Sequence, residues 1–118
     1  MENSINIQNY AVALQRDYLG DGDEKLGKML IKSFLDKITD NTSLPKTIVF
    51  LNSGIFLALK DSPVLDSLKV LEEVGVELLS CVTCIDFFKK RDELAVGKIS
   101  NMVEIVERLT SAEKVLYP

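Results

Sequence analysis

Four strand-like runs, each followed or preceded by enough chain for a helix, constrain this sequence more than any other feature. They are Tyr10-Ala11-Val12-Ala13-Leu14-Gln15-Arg16, Ile48-Val49-Phe50-Leu51, Val76-Glu77-Leu78-Leu79-Ser80 and Glu113-Lys114-Val115-Leu116-Tyr117-Pro118. The first two are apolar on nearly every residue, as expected of strands covered on both faces. Strands separated by helical stretches of about ten residues or more join as right-handed βαβ units in a parallel sheet. The expected fold class is therefore α/β, a three-layer sandwich with a mainly parallel sheet of four or five strands, flavodoxin-like in its layering. Residues 1–9 show no periodicity and are expected to be a tail or linker ahead of a single domain at 10–118.

The helices are marked by their ends. Asp21 reads as an N-cap with Glu24 three residues on, in the manner of a capping box. The helix that follows carries Leu26, Met29, Leu30, Ile31, Phe34, Leu35 and Ile38 on a broad apolar face and should stop near Asp40-Asn41. Ser62 as N-cap, Pro63 at the first helical position and Gly75 past the end frame a second helix lined by Val64, Leu65, Leu68, Leu71 and Val74. A short helix is expected over Ile85 to Lys90. Ser100 or Asn101 caps a further helix with Glu104 in its first turn and Met102, Val106 and Leu109 as its core stripe.

Composition narrows the functions open to such a fold. With 118 residues, 47% apolar and 27% charged, the chain can bury a real core. A net charge of −4 without a long basic run argues against a nucleic-acid surface. No apolar stretch reaches membrane-spanning length, and Met1-Glu2-Asn3-Ser4 is unlike a signal peptide. The two cysteines, both in Cys81-Val82-Thr83-Cys84, make no disulfide scaffold and fit a reducing cytoplasm. There is no histidine, which removes Ser-His-Asp and Cys-His catalysis and every His-based metal site.

Ligand sites in sheets of this kind lie outside the carboxyl ends of the strands, and three loops fall there. Gly20-Asp21-Gly22-Asp23 has neither a P-loop lysine nor the spacing of a dinucleotide fingerprint, so helix capping explains it better. Asn52-Ser53-Gly54 reads as a tight turn whose N–H groups could receive a small anion or a sulfur adduct, with Thr83 nearby in sequence to the cysteines. Ser80-Cys81-Val82-Thr83-Cys84 carries the sulfur chemistry. If the strand ends near Ser80, both sulfurs sit in the first turn of a helix, where the free N–H groups favour thiolate. The basic run Lys89-Lys90-Arg91 is an ordinary solvated surface or a guide for an acidic partner.

Four readings of the cysteines remain open on spacing alone. They could be buried small hydrophobes. They could be a redox pair, since i, i+3 on a helical turn allows a disulfide. They could supply half a tetrahedral metal shell, which nothing else in the chain completes. Or they could carry sulfane sulfur as a persulfide, which needs a nucleophilic, accessible thiolate and no histidine.

Several blocks in order are similar to a known family. Asp17-Tyr18-Leu19-Gly20-Asp21-Gly22-Asp23-Glu24 with Leu26-Gly27-Lys28 comes first. Leu44-Pro45-Lys46-Thr47-Ile48, Phe50-Leu51-Asn52-Ser53-Gly54 and Leu79-Ser80-Cys81-Val82-Thr83-Cys84-Ile85-Asp86 follow, then Ala95-Val96-Gly97 and Ser100-Asn101-Met102. Together, from about Asp17 to Pro118, they resemble the DsrE/DsrF-like sulfurtransferases, and more closely the C-terminal domain of YedF-type selenium-metabolism proteins. The resemblance implies a parallel α/β fold, association into trimers or hexamers, and sulfur relay or selenium handling, with a small sulfur-carrier protein as partner. It puts the acceptor site on Cys81 and Cys84, with Cys81 as first choice for loading and Cys84 as resolving or second thiol. It implies no cofactor and no metal. The family usually reads Cys-Gly-Thr-Cys where this chain has Val82, so the loop is either more ordinarily helical here or its site is tuned or degraded. Against relay stands a non-catalytic homo-oligomeric module that binds a small ligand or partner and whose cysteines are structural.

Overall fold

In the computed structural model, which describes residues 6–118, the chain runs β1 (Asn6–Leu14), α1 (Glu24–Thr39), β2 (Ser43–Phe50), a 3₁₀ segment (Asn52–Ala58) and α2 (Leu65–Glu73). It continues through β3 (Glu77–Cys81), α3 (Val82–Phe87), β4 (Lys98–Ser100), α4 (Met102–Ser111) and β5 (Lys114–Leu116). All four pairings are parallel and the strand order is β4-β3-β2-β1-β5. The expected three-layer α/β sandwich is present with five strands. Because every strand points the same way, the loops after β1, β2 and β3 share one rim.

Alternation along the strands divides the core into two layers. Val12, Leu14, Ile48, Phe50 and Leu78 join Ile31 and Leu35 of α1 and Leu68 and Leu71 of α2 in the larger cluster. Val49 and Cys81 point the other way and pack with Ile105 of α4. Ile48, Phe50, Leu35 and Leu68 are all fully buried. Removing each such side chain from water contributes roughly 1.5–3 kcal/mol.

Several expectations shift. β1 begins at Asn6, inside the stretch expected to be a tail; residues 1–5 of that stretch lie outside the described residues. Asn6–Gln8 pair only with Ser43–Pro45 of β2 and are exposed, so they carry no apolar pattern. The register slips by one residue between Gln8 and Ala11, just beyond Pro45, which has no N–H to give the ladder. The N-cap of α1 is Asp23, not Asp21: its extended backbone (φ −145°, ψ 131°) lets the carboxylate accept from the Leu26 N–H at 2.8 Å. Asp21 is instead the ion-pair partner of Arg16. α2 starts at Leu65, with Ser62 Oγ accepting from the Val64 N–H at 3.2 Å in the turn before it. Its end is as expected. Gly75, at φ +110°, gives its N–H to Glu72, and Val76 reaches back to Leu71 at 3.0 Å, a Schellman closure.

The apolar faces are narrower than their sequences imply. On α1 only Ile31, Leu35 and Ile38 are buried hydrophobics, and Leu26, Met29 and Leu30 are exposed. On α4 the inward positions are Ile105 and Leu109, while Met102 and Val106 face outward with Val103. Asn101 caps α4 through Oδ1 and the Glu104 N–H at 2.9 Å.

α4 is pinned to β3 by charge as well as by Ile105. Arg108 donates to both carboxylate oxygens of Glu77, at 2.7 and 3.1 Å, and to Glu104 at 3.1 Å. Arg108 and the Thr47 hydroxyl hold the Glu77 carboxyl below its ordinary value of 4.5, and the Ser100 hydroxyl does the same for Glu104. A carboxyl whose folded pKa is lowered contributes stability that is complete above the unfolded value and lost as pH falls through the folded one. The urea midpoint is therefore expected to hold from pH 7 to about 5 and to fall below about 4.5, and Glu77→Gln should flatten that fall. An unchanged acid limb in Glu77→Gln would contradict this assignment.

Candidate functional site

β3 runs one residue further than its sequence suggests, and this decides the roles of the two cysteines. Cys81 is the last strand residue and the N-cap of α3, with extended backbone (φ −63°, ψ 124°). Strand alternation turns its side chain down onto Val49 and Ile105, where it is 1% exposed. Cys84 is the third residue of α3. It packs at the edge of both core layers and stays half-buried. The sulfur expected to be loaded first is thus sealed, and its partner reaches the surface. Both are free thiols. Val82 is an ordinary first residue of α3; the non-glycine residues with positive φ, among those described, are Asn52 and Lys89.

The loop after β2 meets the cysteines from the side. The Leu51 N–H donates to the Leu14 carbonyl at 2.9 Å, and the chain then turns through Asn52 at φ +51°, a left-handed conformation that asparagine tolerates. The freed Asn52 N–H donates to Cys84 Sγ at 3.1 Å. Gly54 is buried, and a Cβ on it would overlap the Leu14 carbonyl oxygen and come within 2.8 Å of the carbonyl carbon. Asn52 and Thr83 are exposed and Ser53 is half-buried. The structure therefore brings Asn52 to Cys84 through its backbone, keeps Gly54 as the spacer that lets the segment lie on β1, and gives Ser53 and Thr83 no recorded hydrogen bond to either sulfur.

Three aromatic rings lie on α3 and the 3₁₀ segment that meets it. Phe88 lies obliquely against Phe56, with ring centroids 4.8 Å apart, and both, like Cys84, pack against the main core. Phe87, 78% exposed, stands one turn beyond Cys84. Periodicity gave no hint of these rings as part of a site; for Phe87 and Phe88 the signal is the spacing of three and four residues from Cys84, and for Phe56 there is none.

Electrostatics run against the thiolate expectation. Burial pushes the Cys84 thiol above its ordinary value of 9.0; the Asn52 N–H pulls it back, and the neighbouring Cys81 thiol raises it again. Desolvation outweighs the donors in a helix of six residues. Cys84 is therefore a protonated thiol at neutral pH, and its alkylation by iodoacetamide is expected to climb about tenfold per pH unit from 7 to past 9. A rate already at plateau by pH 7.5 would contradict this. Among the described residues no group of three or more His, Cys, Asp or Glu is placed to hold a metal ion, and no helix is long and apolar enough to cross a membrane.

A family model described as DsrE/DsrF-like matches residues 19–118. The chain belongs to the DsrE/DsrF-like family. Solved structures agree on the fold. MTH1491 from Methanobacterium thermoautotrophicum is 21% identical, with a TM-score of 0.67 over 94% of this chain and 99% of that one. The ychN protein from E. coli is 17% identical at TM-score 0.62, over 94% of this chain and all of its own. BT1422 from Bacteroides thetaiotaomicron is 16% identical at TM-score 0.61, over 93% and 95%. Among curated proteins no sequence matches. At these identities the likeness establishes the sheet and its DsrE-like layering; the chemistry of this DsrE/DsrF-like chain has to come from its own residues.

Proposed function

We propose that the protein is a sulfur-relay carrier that holds a sulfane sulfur, or its selenium counterpart, as a persulfide on Cys84. The observation that carries this reading is the pairing of one reachable sulfur with a backbone donor: Cys84 is half-buried on the rim, and the Asn52 N–H lies 3.1 Å from its Sγ. A thiol that accepts and returns sulfur needs access and a neighbour that steadies negative charge on sulfur, and it reacts through its thiolate fraction. Cys84 has the access and the donor, its small thiolate fraction at neutral pH makes loading slow there, and the chain has no histidine to deprotonate it. Cys81, buried against it, stands as the second thiol of the site. The donor is a low-molecular-weight or protein persulfide, and a small sulfur-carrier protein in a reducing compartment is the natural acceptor.

Association of several copies belongs to the same proposal. Leu26, Met29 and Leu30 on α1 and Met102, Val103 and Val106 on α4 are apolar and exposed, with Val103 at 82%. Trimers or hexamers would cover such residues, and sedimentation equilibrium tests for them.

The test of relay is intact-mass spectrometry of the reduced protein after incubation with a persulfide donor. A gain of one sulfur mass is the expected result. A folded, reduced sample that neither gains sulfur nor releases it as sulfide would overturn the reading and leave the cysteines as structural parts of a binding module.

A further inference from the structure

We propose that Cys81 is a resolving thiol that discharges the Cys84 persulfide as sulfide, closing an internal Cys81–Cys84 disulfide. This rests on the sulfur-relay reading of Cys84 and adds to it a product and a second redox state. Three observations support it. Cys84 packs against the buried cluster that contains Cys81, three residues away across one turn. Cys81 is 1% exposed, so an outside reagent does not reach it, and a sulfur on Cys84 is the electrophile placed beside it. Cys81 also terminates β3 while Cys84 lies on α3, and a strand end followed by one helical turn brings such Cα atoms into the range a disulfide spans.

The step balances without a further reagent. The persulfide anion Cys84–S–S⁻ first takes the Cys81 proton, which leaves Cys81 as the thiolate and makes Cys84–S–SH the electrophile. The Cys81 sulfur attacks Cys84 Sγ, the Sγ81–Sγ84 bond forms, and the bond from Sγ84 to the outer sulfur breaks. The Cys81 proton leaves with the outer sulfur as HS⁻. The Cys81 sulfur is oxidised and the departing sulfur is reduced to sulfide. Attack falls on the inner sulfur because that atom sits on the side chain packed against the Cys81 cluster, and hydrosulfide is a better leaving group than a cysteine thiolate. A dithiol reductant resets the pair.

The experiment uses reduced full-length protein, one equivalent of glutathione persulfide, rapid desalting, and parallel sulfide assay and intact-mass measurement. Wild type should release sulfide and settle two hydrogens below its reduced mass. Cys81→Ser should keep the extra sulfur at least about tenfold longer and release no sulfide. Cys81→Ala serves as the second variant, because the pocket around residue 81 is lined by Val49 and Ile105 and suits an apolar side chain. Equal lifetimes in wild type and both variants, with no disulfide, would overturn the proposal while leaving relay standing, because the adduct would have formed. An extra sulfur mapped to Cys81 would overturn it too. No adduct in any of them removes relay itself, and the resolving step with it.

Discussion

Cys84→Ser loses persulfide loading by at least about a hundredfold while keeping its fold. Cys84 is half-buried, and serine is nearly the same shape, so stability should change by no more than about 1 kcal/mol. The hydroxyl keeps a hydrogen bond from the Asn52 N–H but has no sulfane chemistry. Cys81 cannot substitute, because its sulfur is 1% exposed and faces Val49 and Ile105. Cys81→Ser, by contrast, should still load. The comparison is read as sulfur gained per folded chain, with circular dichroism as the fold control. Loading retained in Cys84→Ser and lost in Cys81→Ser would reverse the assignment of the two thiols.

Gly54→Ala is expected to destabilise the protein by about 3 kcal/mol or more, the largest stability effect of any small substitution considered for this chain. The added methyl would meet backbone, the Leu14 carbonyl, which has no rotamer to yield. Relief requires the 3₁₀ segment to lift off β1, breaking the Leu51–Leu14 hydrogen bond of 2.9 Å and moving Asn52, two residues upstream, away from Cys84. Urea unfolding measures the first consequence. The second appears as altered alkylation of Cys84 in whatever fraction still folds. A loss under about 0.5 kcal/mol would mean that the close approach of these two backbones is not needed.

The layered fold was legible because Tyr10–Leu14 and Ile48–Phe50 are apolar on consecutive residues, which only a doubly covered strand requires. The rim was legible for the same reason, since parallel strands align their carboxyl ends. β4 left no such trace: Lys98-Ile99-Ser100 is a three-residue edge, exposed at its first position, with too little buried surface to impose a pattern. Asn6–Asn9 were hidden by the reverse effect, being strand by hydrogen bonding yet solvated on both faces. The helices read too broadly apolar because Leu26, Met29 and Leu30, or Met102 and Val106, satisfy helical spacing whether or not anything in the monomer covers them.

The cysteines show the limit most sharply. Their spacing placed them at a strand-to-helix corner, but which sulfur faces inward depends on whether the strand stops at Ser80 or Cys81. One residue of register exchanges the buried and the reachable thiol. The sign of the Cys84 shift was likewise out of reach, since desolvation depends on how α3 packs on both core layers, which the motif does not contain.

Peptide mapping of the persulfidated protein, with the adduct trapped by alkylation before digestion, measures where the sulfur goes. The fold described above predicts the extra sulfur on Cys84 as the first species formed, with none on Cys81. A first adduct on Cys81, or on neither residue of a folded and fully reduced chain, would contradict it.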